Sequence, residues 1–156
     1  MNDQTKWLTP AEQCAWRSVI RMYERLEGRL SRGLQSESSL SVSDYAVLVN
    51  LAEAPDGRMR HVDLARRLEW EKSRMSHQVS RMVKRGLVAR QECAEDGRGA
   101  FVVVTPAGRE VIAKAAPRHV GEVRRLFIEP LTPDELQAFA RVADRVVDRL
   151  EEEQCR

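Results

Sequence analysis

Ser73, Arg74, His77, Ser80, Arg81 and Lys84 recur along one stretch of chain at spacings that place them together. At about 100° per residue, a helix over Lys72 to Arg85 gathers these six on one face, opposite an apolar stripe of Met75, Val79, Met82 and Val83. No acidic side chain interrupts that face, so its chemistry is recognition of a polyanion. Arg74 and Arg81 can each donate two hydrogen bonds to guanine O6 and N7, and Gln78, nearer the flank, could read adenine or be partly packed. Ser73, Ser76 and Ser80 are short enough to bond phosphates or base edges without holding the helix out of a groove. His77, on the outermost line, can donate to a purine or a phosphate, while Lys72 and Lys84 suit phosphate as point charges.

The elements around this helix are those of a groove-reading module. Gly86 follows Lys84-Arg85 where a helix stops, with cations in the last turn and then a residue free to take positive φ. Leu87 to Arg90 and Ala100 to Val104 are short β-prone runs, and Asp96-Gly97 between them marks a reverse turn that projects Arg98. A lone guanidinium on a narrow hairpin tip fits the negative potential of an A·T-rich minor groove. Upstream, Val62 to Leu68 predicts a second short helix, and Arg58 to Arg60 a short strand against the wing. Helix, turn, helix and two-stranded wing together predict a winged helix-turn-helix in a mainly α chain.

Charge is sorted to match. Residues 58 to 109 hold twelve Lys/Arg against six Asp/Glu, while the remaining residues hold fourteen against eighteen. A basic centre between mildly acidic flanks suits a polyanion partner, such as the DNA whose groove the wing could follow, at the centre and other work at the ends. The 42% hydrophobic content of a 156-residue chain suits one domain with a real core, and no run approaches the about 18 apolar residues of a membrane span. With no signal-peptide pattern at the N-terminus, the expected location is cytoplasmic. Cys14, Cys93 and Cys155 stand apart, and His61, His77 and His119 form no ligand motif, so no metal or cofactor is expected. Nucleophile elbow, phosphate loop and paired-carboxylate motifs are also missing from the sequence, which argues against an enzyme.

Four helices flank or support the module. Thr9-Pro10 with Glu12 predicts a capping box for a first helix ending near Gly33, followed by a serine-rich loop from Gln35 to Ser39. Ser41 with Asp44 caps a second helix whose Tyr45, Leu48, Val49, Leu51 and Ala52 are expected to face inward. Thr105-Pro106 opens a long helix to about Phe127 that Pro117 should kink or divide, and Thr132-Pro133 with Glu135 opens the last. The helix at about 61 to 68 lacks a capping hydroxyl, since Arg60 stands there.

The segments LARRL, SRMSHQVSRMVKRGLVAR and EDGRGAFVVVTPAG resemble the MarR (multiple-antibiotic-resistance regulator) transcription factors, KRGLV and the DGRG…VVVTPAG wing most specifically. The resemblance extends over nearly the whole chain. It implies a single domain over 1–156, with dimerisation helices at about 1–33 and 106–156 and a DNA-reading module at about 40–105. It further implies a homodimer on a pseudo-palindromic operator, usually a repressor, released by a small and commonly aromatic ligand. On that resemblance Arg98 inserts into the minor groove and Asp96 braces it, although this wing lacks the second basic residue that others carry beside the aspartate. Trp16, Tyr23, Tyr45 and Trp70 could line an effector cleft in which Arg17 and Arg21 meet a carboxylate; core packing is the competing role of the aromatics. Two other readings stay open. Cys14, early in the first helix near Arg17, could sense oxidants, though the tyrosines that thiol-sensing relatives place beside it are missing. A winged helix that binds protein would instead need an apolar outer face on the Lys72 helix.

Overall fold

The computed structural model describes residues 5–92 and 100–154, in two compact units that divide between His119 and Val120. The expected wing tip, with Asp96, Gly97, Arg98 and Gly99, lies outside the described residues, as do Cys93 and Cys155.

In the first unit, helix α1 (Pro10–Ser38) opens on the expected capping box. The Thr9 amide donates to Glu12 Oε2 at 2.7 Å and the Glu12 amide donates to Thr9 Oγ1 at 3.3 Å. The helix does not end at Gly33, and the serine-rich stretch is its last turn rather than a loop. Ser36 and Ser38 donate back to the carbonyls of Gly33 and Leu34, so their hydroxyls are satisfied inside the helix. Leu34 is buried beneath them, and the stop comes at Ser39, which takes the left-handed conformation at φ 55°.

Helix α2 (Val42–Glu53) is capped by Ser41 and Asp44. Its inner face is Asp44, Val47, Leu48 and Leu51, the i, i+3, i+4, i+7 set, with Tyr45 and Val49 half-buried beside it. Ala52 falls off that face and is exposed, contrary to expectation, while Val47 is fully buried. A single tight turn at Pro55–Gly57 leads into strand β1 (Arg58–Arg60) and helix α3 (His61–Arg67), which starts without a side-chain cap. Helix α4 (Lys72–Lys84) follows, then strands β2 (Val88–Glu92) and β3 (Ala100–Val104). The sheet is antiparallel in the order β1-β3-β2, with Met59 opposite Val102 and Val88 opposite Val104. The core joins Leu48 and Leu51 of α2, Leu64 of α3, Met75, Val79 and Met82 of α4, and Val88, Val102 and Val104 of the sheet. Val83, expected in the α4 stripe, is exposed, because Met75, Val79 and Met82 already span the contact.

Helix α5 (Pro106–Val123) is capped by Thr105, whose hydroxyl accepts from the Gly108 amide at 3.0 Å and donates to the Gly86 carbonyl at 2.6 Å. The helix runs past Pro117 without dividing, although the proline removes one backbone donor there. Beyond Val123 the helix widens into a π turn at Arg124–Ile128, where the Glu129 amide reaches the Arg124 carbonyl five residues back at 2.8 Å.

The second unit contains that turn and helix α6 (Pro133–Gln154). The Thr132 amide donates to Glu135 Oε2 at 2.8 Å and the Glu135 amide to Thr132 Oγ1, completing the expected capping box. Phe127 meets Phe139 edge to face at 5.2 Å. Leu136 and Ala143 are half-buried, while Val142, Val146 and Leu150 on the same apolar stripe of α6 are each more than half exposed at 56%, 56% and 55%.

Gly108 lies so near the wing that an added Cβ would meet the Leu87 carbonyl oxygen at 2.1 Å, whereas a Cβ on Gly33 would meet nothing within 4 Å. Urea unfolding should therefore show Gly108→Ala losing about 1–3 kcal/mol. Gly33→Ala should gain about 0.5–1 kcal/mol from helix propensity.

Candidate nucleic-acid interface

Helix α4 owes its orientation to what it buries. Met75, Val79 and Met82 are fully removed from water, a burial that contributes about 1.5–3 kcal/mol per side chain. Gly86 closes the helix at φ 71° and turns the chain into β2. The outer face that remains is polar. Lys72, Ser73, His77 and Lys84 are exposed and carry no side-chain partner among the described residues. Arg74 is exposed as well, but its guanidinium lies 4.2 Å over the Trp70 ring, which fixes it at the start of the helix.

Along one edge of α4, at steps of three and four, stand Gln78, Arg81 and Arg85. Of the two roles open to Gln78, base reading and packing at the flank, the structure shows packing, because its side chain is 2% exposed and turned inward. Its Nε2 donates to Asp44 Oδ1 at 2.6 Å, and its Oε1 accepts from Arg81 Nη2. Asp44 is itself buried, and its Oδ2 accepts from Arg85 Nη1 at 2.6 Å and from the Ser41 amide at 2.9 Å. Arg85 also donates to the Ser39 carbonyl, so the start of α2 and the end of α4 are joined by charge-assisted bonds. Burial alone would raise the Asp44 pKa. The Ser41 amide and hydroxyl and the Arg85 guanidinium outweigh it and hold the carboxyl below the ordinary aspartate value of 3.8.

A second cluster was not anticipated from the sequence. Arg90 of β2 donates to Ser80 Oγ at 2.7 Å, and Ser80 donates to the Ser76 carbonyl at 2.7 Å. Ser76 Oγ lies 3.4 Å from His61 Nε2. Burial, and then the charge of Arg90, hold the His61 pKa below 6.5. Ser80 thus braces a cation at the root of the wing. The only sequence signal for Arg90 was its basic side chain two positions into the strand, and nothing local tied it to α4.

The residues grouped as an effector cleft stand in different surroundings. Trp16, Arg17 and Arg21 are exposed on α1. Tyr45 packs on His119 with ring centres 4.4 Å apart, and Trp70 lies under Arg74. An open groove of about 370 Å³ does exist, between α2 and α5, lined by Val49, Ala52, Glu53, Arg109, Ile112 and Ala116 among others. None of the six candidate residues lines it.

The MarR family model matches residues 38–99, which span α2, α3, α4 and β2. The transcriptional regulator HosA of Escherichia coli O127:H6 (strain E2348/69 / EPEC) is 30% identical over 110 residues, 70% of this chain and 78% of HosA. AbsC, a MarR family transcriptional regulator from Streptomyces coelicolor, has the same fold, with a TM-score of 0.92 at 42% identity over 95% of this chain and 99% of AbsC. The chain belongs to the MarR family of transcriptional regulators. Sco3205, a MarR family regulator from the same Streptomyces species solved in complex with DNA, matches with a TM-score of 0.91 at 39% identity, covering 96% of this chain and 93% of Sco3205. As a member of this family the protein is a winged helix-turn-helix, DNA-binding regulator, and α4 is the second helix of its helix-turn-helix.

Because the native state holds the Asp44 pKa down, protonating that carboxyl is harder in the folded chain than in the unfolded one. Its contribution is complete above the ordinary value of 3.8 and is lost as pH falls through the lower folded value. Asp44→Asn should therefore cost about 1–3 kcal/mol at pH 7 and progressively less as pH is lowered below 3.8, read from urea midpoints. A loss that stays constant as far down in pH as the protein remains folded would contradict a role for the carboxylate charge.

Proposed function

We propose that the protein is a homodimeric, sequence-specific repressor that binds a pseudo-palindromic operator in the cytoplasm and is released by a small, aromatic ligand. The observation that carries the reading is the polar, basic outer face of α4, held outward by a fully buried apolar face. Arg74 and Arg81 supply the two-donor forks suited to guanine, and Lys72, Lys84 and Arg90 supply charge for phosphate. Ser73, Ser76 and His77 complete the surface, and Asp96 and Arg98 are assigned to the wing's minor-groove contact. The DNA complex of the similar Sco3205 supports the same partner.

Dimerisation is supported by two apolar stripes that are open to solvent. On α1, Trp16 and Tyr23 are 57% and 61% exposed, and on α6, Val142, Val146 and Leu150 are similarly bare. A second copy is the partner that gives two reading helices on a two-fold site. In this reading residues 40–105 read DNA and the helices on either side build the dimer. Ligand release is supported by the groove between α2 and α5, whose about 370 Å³ falls within the range of small-molecule sites. Its occupant would act by favouring one spacing of the two reading helices over another.

Selection from a random duplex pool at about 150 mM salt, followed by competition against non-specific DNA, tests the reading. The expected product is an inverted repeat with half-sites about 10 base pairs apart, bound at least about 10³-fold above background. Failure to enrich any sequence would count against it. Val146→Asp, which places a charge in the α6 stripe, should shift the protein from dimer to monomer in sedimentation and weaken binding to the repeat much more than to a single half-site.

A further inference from the structure

We propose that Gln78 and Asp44 are positioning residues for base recognition, acting through Arg81. The inference rests on the reading of Arg81 as a base-reading side chain. Asp44 Oδ1 can only accept, because the carboxylate is held ionised between Arg85 and the Ser41 amide. Gln78 must therefore present its Nε2 to Asp44, which it does at 2.6 Å. That choice leaves the amide no freedom to flip, and Gln78 Oε1 is aimed outward along the edge of α4. There it accepts from Arg81 Nη2.

The consequence concerns the shape of the reading surface. Arg81 is exposed, and a long side chain on an exposed helix samples many rotamers. A fork held at one nitrogen keeps its other N–H groups directed away from the helix, ready for the two acceptors of a guanine edge. The relay is non-local: Asp44 and Gln78 are 34 residues apart, and Asp44 and Arg85 are 41 apart. It makes the N-terminal turn of α2 part of the base-reading apparatus although that turn presents no side chain to a groove. Removing the Gln78 oxygen leaves every DNA-facing side chain in place and takes away only the direction of one of them.

A double-variant cycle separates this role from a merely structural one. The probe is the duplex recovered by selection, together with versions substituted at each base pair, with Kd values measured at fixed salt and at a temperature where all variants are folded. Arg81→Ala should flatten the preference at one base pair of each half-site by about tenfold or more. Gln78→Met, similar in size but without the oxygen, should flatten that same base pair several-fold and leave the others unchanged. Combined with Arg81→Ala it should add nothing there. Asp44→Asn, which lets the Gln78 amide flip, should act at the same base pair and serves where Gln78→Met folds poorly. Gln78→Met and Asp44→Asn lowering affinity equally for every duplex would overturn the relay, as would full preference retained in either. An Arg81→Ala variant with every preference intact would overturn the base-reading role on which the relay rests.

Discussion

The buried carboxylate of Asp44 is the constraint around which the reading module is arranged. It belongs to the cap of α2, yet three of its bonds tie that helix to other parts of the chain: Gln78 and Arg85 on α4, and the backbone before α2 through Ser41. An anion this deep is tolerable only because each oxygen is matched by a donor, and no buried side-chain polar atom among the described residues is left unpaired. Apolar burial of Met75, Val79 and Met82 presses α4 onto the core but would allow some rotation or sliding. The directional bonds to Asp44 select one rotation, and with it the face that α4 presents.

That division of labour explains how so charged a helix folds stably. Its inner face is three apolar side chains and one amide, its lower edge is a set of paired arginines, and on its outer face Lys72, Ser73, His77 and Lys84 are left without side-chain partners among the described residues. Cations that have no partner in the free protein are the ones that can release counterions from a phosphate backbone. The wing root follows the same logic. Arg90 is steered by Ser80 and the Ser76 carbonyl toward α4, so that the strand and the helix contribute to one basic surface.

Much of this was legible in the sequence because it is local. The three capping boxes are spacings of three residues, and Thr9, Ser41 and Thr132 all cap where those spacings place them. The winged module was equally readable, from the change of period after Gly86 and from the family resemblance. Where the sequence was read differently, a side chain finds a partner that residue type alone does not announce, distant in one case and a single turn away in others. Gln78 has the composition of a base reader, and only its pairing with a residue 34 positions away turns it inward. Ser36 and Ser38 have the composition of a loop, but a buried Leu34 holds that turn in the helix and their hydroxyls fold back onto it. Trp70, for which cleft lining and packing were both open, carries the Arg74 guanidinium over its ring.

The central claim is that α4 lies in the major groove with its arginine forks on guanine edges, once in each half of the operator. Guanine N7 methylation protection on the selected duplex tests it directly, since N7 faces only the major groove. The account predicts protected guanines in two major-groove segments about 10 base pairs apart, on one face of the duplex. Full occupancy of the duplex with every guanine N7 still reactive would contradict it.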